Sequence, residues 1–412
     1  MEMRNLMRAR SGPVIWLLFS CGFAGAQVLV SGSGTGGSVR VFPTDMAILE
    51  AGETRKDLPC SVISSKPMLG FDLRYHAGFE VSIPLSDLAG NDNLLTVLFR
   101  IAPVEPKSDP VYMTQKIRVP AIEDDAKGDA YLQGGFDVGE GKYHVDWLMR
   151  DRAERVCSSS WDFEALLPDK DKQITLALNP GEMRALDREQ FKDEPPIARS
   201  SEEPPLNVKV LVNFAPQNAR AATLQPLDTN ALVSILRNIS RDPRIGRFTL
   251  VAFNLQEQRV LYRQDNADKI DFPALGDALE SLNLGTVDLK RLSQKNGDTA
   301  FLAGLIRQEV GTENAAPDAV VFAGPKAMLE ENISQDSLRQ IGELNFPVFY
   351  MNYNLYPQAV PWNDTISKAV KYLKGQEYTI SRPRDLWYAV TEMVSRIVKW
   401  KQGRGRGTSS SE

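Results

Sequence analysis

Leu206-Asn-Val-Lys-Val-Leu-Val-Asn-Phe214 decides the fold. The run alternates at first and then turns wholly apolar, as a strand buried on both faces does. Working outward from it, Asp228–Arg237 carries an Asp or Thr able to cap, then apolar residues at helical spacing. Phe248–Phe253 and Arg259–Tyr262 bracket a polar turn and predict a hairpin at a sheet edge. Helices are predicted at Phe272–Leu279, Thr299–Val310, Ser334–Leu344, Trp362–Lys374 and Pro383–Trp400, and strands at Asp318–Phe322 and Pro347–Asn352. Strands alternating with helices imply a mainly parallel, doubly wound α/β sheet over residues 206–400.

Upstream the texture changes. Val39–Phe42, Leu69–Tyr75, Phe79–Ile83, Leu94–Ile101, Val111–Val119, Gly134–Val138, Tyr143–Met149 and Val156–Trp161 are short strand signals with turn residues between them. An all-β antiparallel sandwich over 39–188 is expected. Tyr143, Val145 and Trp147 share one face, which suits a core stripe better than a sugar platform. Between the halves, residues 189–205 combine charge with paired prolines and are read as a linker. Residues 27–38 form a Gly/Ser-rich flexible lead, and residues 401–412 a disordered tail. The lead is no phosphate loop, since no helix start with Lys-Ser/Thr follows it.

Residues 1–26 have the form of a secretory signal: Arg4, Arg8 and Arg10, a short apolar run from Val14 to Phe23, then Ala24-Gly-Ala26. A second reading makes Cys21 a lipid-anchored N-terminus, against which the bulky Phe19 counts. Export makes Cys60 and Cys157 an expected disulfide, the alternative being two separately buried thiols.

The 412 residues suit two domains, and a net charge of -5 with scattered basic residues gives no reason to expect a nucleic-acid partner. No other stretch is long and apolar enough to span a membrane. Only two histidines are present, His76 and His144, and no zinc, nucleophile-elbow or phosphate-loop motif. His144, Asp146 and Ser158 or Ser159 could be drawn as a triad, but His144 and Asp146 oppose the core face and are expected to be a solvated pair.

The segment 206–400 resembles the von Willebrand factor A domain family in its order of strands and helices. Arg247-Phe-Thr-Leu-Val-Ala-Phe-Asn254 looks like that family's second strand, and Gly297-Asp-Thr-Ala-Phe-Leu-Ala-Gly-Leu305 like its Gly-Thr loop and following helix, with one extra residue. The resemblance implies a divalent-ion site built from an Asp-x-Ser-x-Ser loop, a Thr and a second Asp. Asn213, Ala215 and Gln217 stand in the first loop, and Ala323-Gly-Pro325 holds no carboxylate. Thr299 alone matches, and its own chemistry suits a helix N-cap. Too few hard oxygen ligands remain there for Mg²⁺, so no metal and no cofactor are expected; Asp298 is the nearby acid.

Ligands of open α/β sheets gather beyond the strands' carboxyl ends. Phe214, Pro216, Gln217, Thr299, Pro325, Asn352 and Asn354 are therefore the expected partner-binding residues, with Tyr350, Tyr353 and Tyr356 around the last loop. The expected protein is exported, to periplasm, cell surface or medium. It is a non-enzymatic binding or scaffolding protein with a metal-free von Willebrand A-like domain and an unidentified protein partner. The alternatives are an exported hydrolase of unrecognised type and a structural subunit of a cell-envelope assembly.

Overall fold

The computed structural model describes residues 28–30, 42–186, 189–199, 205–217, 221, 223–282, 296–311, 317–355 and 364–408. The signal segment with Cys21, most of the lead, and Tyr356 lie outside these residues.

The N-terminal half runs β1 (Val28–Val30), α1 (Pro43–Ala51), β2 (Ser61–Leu69), β3 (Tyr75–Pro84), α2 (Leu85–Leu88), β4 (Asn93–Glu105), β5 (Val111–Val119), β6 (Asp129–Val138), β7 (Gly141–Arg150), β8 (Val156–Ala165), a 3₁₀ turn (Asp169–Asp171) and β9 (Met183–Ala185). Two antiparallel sheets form, in the orders β1-β5-β4-β7-β8 and β2-β3-β6-β9. Period-two alternation puts Phe79, Phe99, Phe136, Tyr143 and Trp147 into one core between them. Phe79 meets Phe99 and Trp147 edge-on, and Tyr143 stacks on Phe163. Cys60, just before β2, is bridged to Cys157 on β8, so the disulfide ties one edge of each sheet. A cross-link over 97 residues removes loop entropy from the unfolded chain, an effect of roughly 2–4 kcal/mol.

Three local expectations are corrected here. Leu69–Tyr75 is not a strand: Gly70 to Arg74 form the turn between β2 and β3, closed by Gly70 N donating to Arg74 O at 2.8 Å. Phe42 caps α1 instead of ending a strand, because Pro43 fixes the first helical φ. Val28–Val30 of the supposed flexible lead pair with β5.

The C-terminal half runs β10 (Leu206–Asn213), α3 (Pro226–Ser240), β11 (Ile245–Asn254), β12 (Arg259–Ala267), α4 (Phe272–Leu279), α5 (Gly297–Val310), β13 (Ala319–Gly324), α6 (Gln335–Arg339), β14 (Val348–Tyr353), α7 (Thr365–Tyr372), β15 (Gln376–Ile380) and α8 (Pro383–Thr408). The mixed sheet has the order β12-β11-β10-β13-β14-β15, parallel throughout except for the β11–β12 hairpin. Alternation divides its residues between two cores. Val208, Val210 and Val212 face α3 and α8; Leu211, Val320 and Phe322 face α5 and α7.

β15 had no counterpart in the sequence reading, and α8 continues past Trp400 to Thr408 where a disordered tail was expected. The charged stretch 189–199 is not a free linker. Glu194 pairs with Arg237 of α3 and with Arg241, the C-cap of that helix, at 2.8 and 2.9 Å, and Phe191 packs on the core. The halves also touch. Trp387 packs on the sandwich core, Arg384 pairs with Asp171 at 3.1 Å, and Phe71 packs on the C-terminal core.

Candidate functional site

The strand order reverses between β10 and β13, so their connections leave to opposite faces and open a crevice at the carboxyl edge. The two strand ends are pressed together there. Gly324 has φ of 155°, and a Cβ on it would sit 2.9 Å from Asn213 Cβ.

Neutral amides stitch this edge. Asn213 Oδ1 accepts from Leu255 N at 3.2 Å. Asn254 Nδ2 donates to Phe214 O at 2.5 Å, and its Oδ1 accepts from Glu257 N at 2.7 Å. Gln217 Nε2 donates to Asn354 Oδ1 at 2.8 Å, and Leu355 N donates to Gln217 Oε1 at 3.3 Å. Tyr353 OH donates to Asp228 Oδ1 at 3.0 Å, and Tyr350 OH to Pro325 O at 3.1 Å. Burial, then the nearby carboxylates, pushes both phenols up.

The expected contact residues are brought to one edge, but not as an open surface. Phe214, Pro216, Pro325, Asn352 and Asn354 are buried, while Gln217 and Thr299 are half-buried. Thr299 is not the N-cap of α5: Asn296 holds that position. Thr299 Oγ1 instead donates to Glu331 O at 3.0 Å, and its N–H to Asp298 Oδ1 at 2.7 Å. The exposed apolar side chain in the loop leaving β13 is Met328, 56% exposed, which the sequence reading passed over. Behind α3 and α4 a separate open cleft of about 470 Å³ is roofed by Glu189, Gln190 and Phe191.

Asp364 caps α7, its Oδ1 accepting from Ile366 N at 3.1 Å and Ala327 N at 3.2 Å; Ser367 N–H and the Tyr350 hydroxyl also serve this carboxylate. Burial raises its pKa against the pull of those hydrogen bonds. The sequence carries the signal, Asp364 directly before Thr-Ile-Ser, although the helix was expected to begin at Trp362.

On the sandwich, each histidine is gripped by two carboxylates. His76 Nδ1 lies 2.7 Å from Asp137 Oδ1 and Nε2 lies 3.1 Å from Asp72 Oδ1; Arg74 Nη1 donates to Asp137 Oδ2 at 3.3 Å. Burial works to lower the His76 pKa, but the hydrogen bonds and charges of Asp137 and Asp72 outweigh it and push it up to about 10. The three side chains are close enough to ligate a metal. A protonated imidazole between two carboxylates is nevertheless a closed ion-pair cluster, and a metal would have to displace that proton.

His144 repeats the pattern on the other sheet, 2.6 Å from Asp162 Oδ1 and 3.1 Å from Asp146 Oδ1, with Arg100 on Asp146 Oδ2 at 2.8 Å. The expected solvated pair is corrected, since Asp146 is buried. Ser158 lies opposite Leu148 whereas Asp162 lies opposite His144, so four residues of strand separate Ser158 from that histidine, about 13 Å. Ser158 Oγ donates to Glu53 O at 2.5 Å and accepts from Arg55 N at 2.7 Å.

No family model and no curated protein matches the sequence. Among solved structures, a D319A mutant of the PilB minor pilin from Streptococcus sanguinis is similar over 84% of this chain and 81% of its own, at 6% identity and a TM-score of 0.29. A β-glucuronidase from Bacteroides uniformis is similar over 76% of this chain and 38% of its own, at 10% identity and a TM-score of 0.18. A β-glucosidase from Listeria innocua, solved with gluconolactone, is similar over 27% of this chain and 17% of its own, at 16% identity and a TM-score of 0.17. Among the described residues, no helix is long and apolar enough to cross a membrane.

Proposed function

We propose that the chain is an exported protein-binding or scaffolding protein, and that its C-terminal half is a von Willebrand A-like domain without that family's edge cation. The observation that carries the reading is the sheet order β12-β11-β10-β13-β14-β15, whose antiparallel hairpin stands at one end and whose reversal lies at β10 and β13. Support also comes from the edge itself. Asn213, Ala215, Gln217 and Thr299 stand where the resemblance places ion ligands. Asn213, Gln217 and Thr299 engage in hydrogen bonds within the chain, and such neutral groups supply little charge for a divalent ion. Recognition then falls to what the edge displays, chiefly Met328, half-buried Gln217 and the carbonyls and side chains around them.

The test is capture from the envelope fraction of the source cells with the full chain as bait, beside a broad hydrolase screen. A discrete protein retained by the wild type and lost with Met328→Asp is the expected result. Sustained turnover abolished by His144→Ala would instead make the chain a hydrolase.

A further inference from the structure

Two segments of the chain each divide their side chains between the two halves. In the turn Gly70–Arg74, Leu73 is buried in the sandwich core, while Phe71, two residues before it, packs on the C-terminal core. The first turns of α8 mirror this. Leu386 is buried in the C-terminal core, and its neighbour Trp387 packs on the sandwich core. Polar contacts flank both crossings. Asn238 Nδ2 of α3 donates to Phe71 O at 3.3 Å. Arg384 pairs with Asp171 at 3.1 Å, and Gln173 Nε2 donates to Tyr388 OH. Domains of one chain ordinarily move against each other unless a substantial apolar interface joins them. Here each half seats an aromatic ring on the core of the other.

The Phe71 turn is not a relaxed one. Leu73 has φ of 60°, a backbone conformation that bulky side chains rarely adopt. Such a residue persists where its surroundings over-determine it. Leu73 N donates to Gly70 O at 3.0 Å, and Leu73 O accepts from Ala177 N at 2.9 Å. Asp72 stands between the two apolar residues. Its Oδ1 accepts from Arg74 N at 3.3 Å and lies 3.1 Å from His76 Nε2 on β3. His76 is held from its other nitrogen by Asp137 on β6. The imidazole also presses on the turn's backbone, since a Cβ on Gly70 would collide with His76 Nε2.

We propose that the two halves form one cooperative body joined by the reciprocal Phe71 and Trp387 pegs, and that the Asp72–His76 ion pair is the latch holding the Phe71 peg. With the latch released, Leu73 relaxes from its left-handed backbone, Phe71 leaves its seat, and the α3 layer loosens while the sandwich strands stay folded. The inference concerns the joint between the halves and does not depend on the protein-binding reading. His144 supplies the contrast. Two carboxylates grip it in the same way, but Asp162, 81% exposed, sits within strand β8 and carries no peg.

The experiment follows amide hydrogen exchange and calorimetric melting of the full-length chain as wild type, Asp72→Asn, Phe71→Ser and Asp162→Asn. The wild type should melt in one transition. Asp72→Asn keeps an acceptor for Arg74 N and removes the charge facing His76. It should speed exchange in the turn and in α3 around Asn238 at least about tenfold, with β7 and β8 unchanged. Phe71→Ser should do the same and split melting into two transitions. Asp162→Asn should leave exchange in the C-terminal half as in the wild type. If one of the turn variants fails to fold, the other decides. Two separate transitions in the wild type overturn the proposal. So does exchange in α3 that the folded turn variants leave unmoved, or that Asp162→Asn quickens equally.

Discussion

The sandwich and the C-terminal sheet face the same problem, polar groups taken out of water, and solve it with opposite chemistry. On the sandwich, His76 and His144 are each held by two carboxylates, and each cluster includes an arginine, Arg74 or Arg100. At the carboxyl edge of the C-terminal sheet, Asn213, Asn254, Gln217 and Asn354 do the joining as neutral amides. Charged clusters tolerate partial exposure because solvent shares the cost of separating charge. Amides in a closed interior must instead be matched donor for acceptor.

Placing charge in the amide network should have the largest effect. Asn254→Asp, in a fully buried side chain, removes the donor to Phe214 O and sets a carboxylate against that carbonyl. A loss of about 4 kcal/mol is expected by urea denaturation. A near-neutral result would show that the edge opens to water.

Removing a charge from a sandwich cluster should cost less. Asp137→Ala strips the buried carboxylate shared by His76 and Arg74, whose side chains are 38% and 19% exposed. Solvent can reach both, so about 2–3 kcal/mol is expected in the same assay, below the full cost of breaking a wholly buried pair.

The effect most reduced by solvent is a pH dependence of the sandwich, since His76 is 38% exposed. The folded pKa of His76, about 10, lies above its ordinary 6.5. Its contribution to stability is therefore fully present below 6.5 and is lost as pH rises through the folded value. Stability of the wild type should decline between those two values by more than that of His76→Gln. NMR titration of the imidazole should place its midpoint well above 6.5. A midpoint near the ordinary value would remove the ion-pair account of this cluster.

Much of this contrast was legible in the chain, and its limits are physical. The apolar run of β10 and the period-two strands announce their burial, because hydrophobic spacing is local. β15 escaped notice since Gln376-Glu-Tyr-Thr-Ile380 is a half-buried edge with little apolar signal. The turn at Gly70–Arg74 was hidden inside a run that alternates like a strand. Cys60 and Cys157 could be paired by elimination once Cys21 was set aside. The edge residues were drawn to the right end of the sheet by topology, but burial depends on what packs above them, which one sequence position cannot report. Likewise Asp137 and Asp72 meet His76 only through the β3–β6 register and a turn. Asp364 announced itself as a cap, yet its bonds to Ala327 N and to the Tyr350 hydroxyl are properties of the packed corner.

The claim that the sheet edge, and not the sandwich face, carries recognition is tested most directly by affinity. The captured partner should be titrated against the wild type, Met328→Asp and Ile63→Asp, two exposed apolar positions, the second on edge strand β2 of the sandwich. Met328→Asp should weaken binding at least about tenfold and Ile63→Asp should leave it unchanged. Binding that survives Met328→Asp and fails with Ile63→Asp would contradict the account.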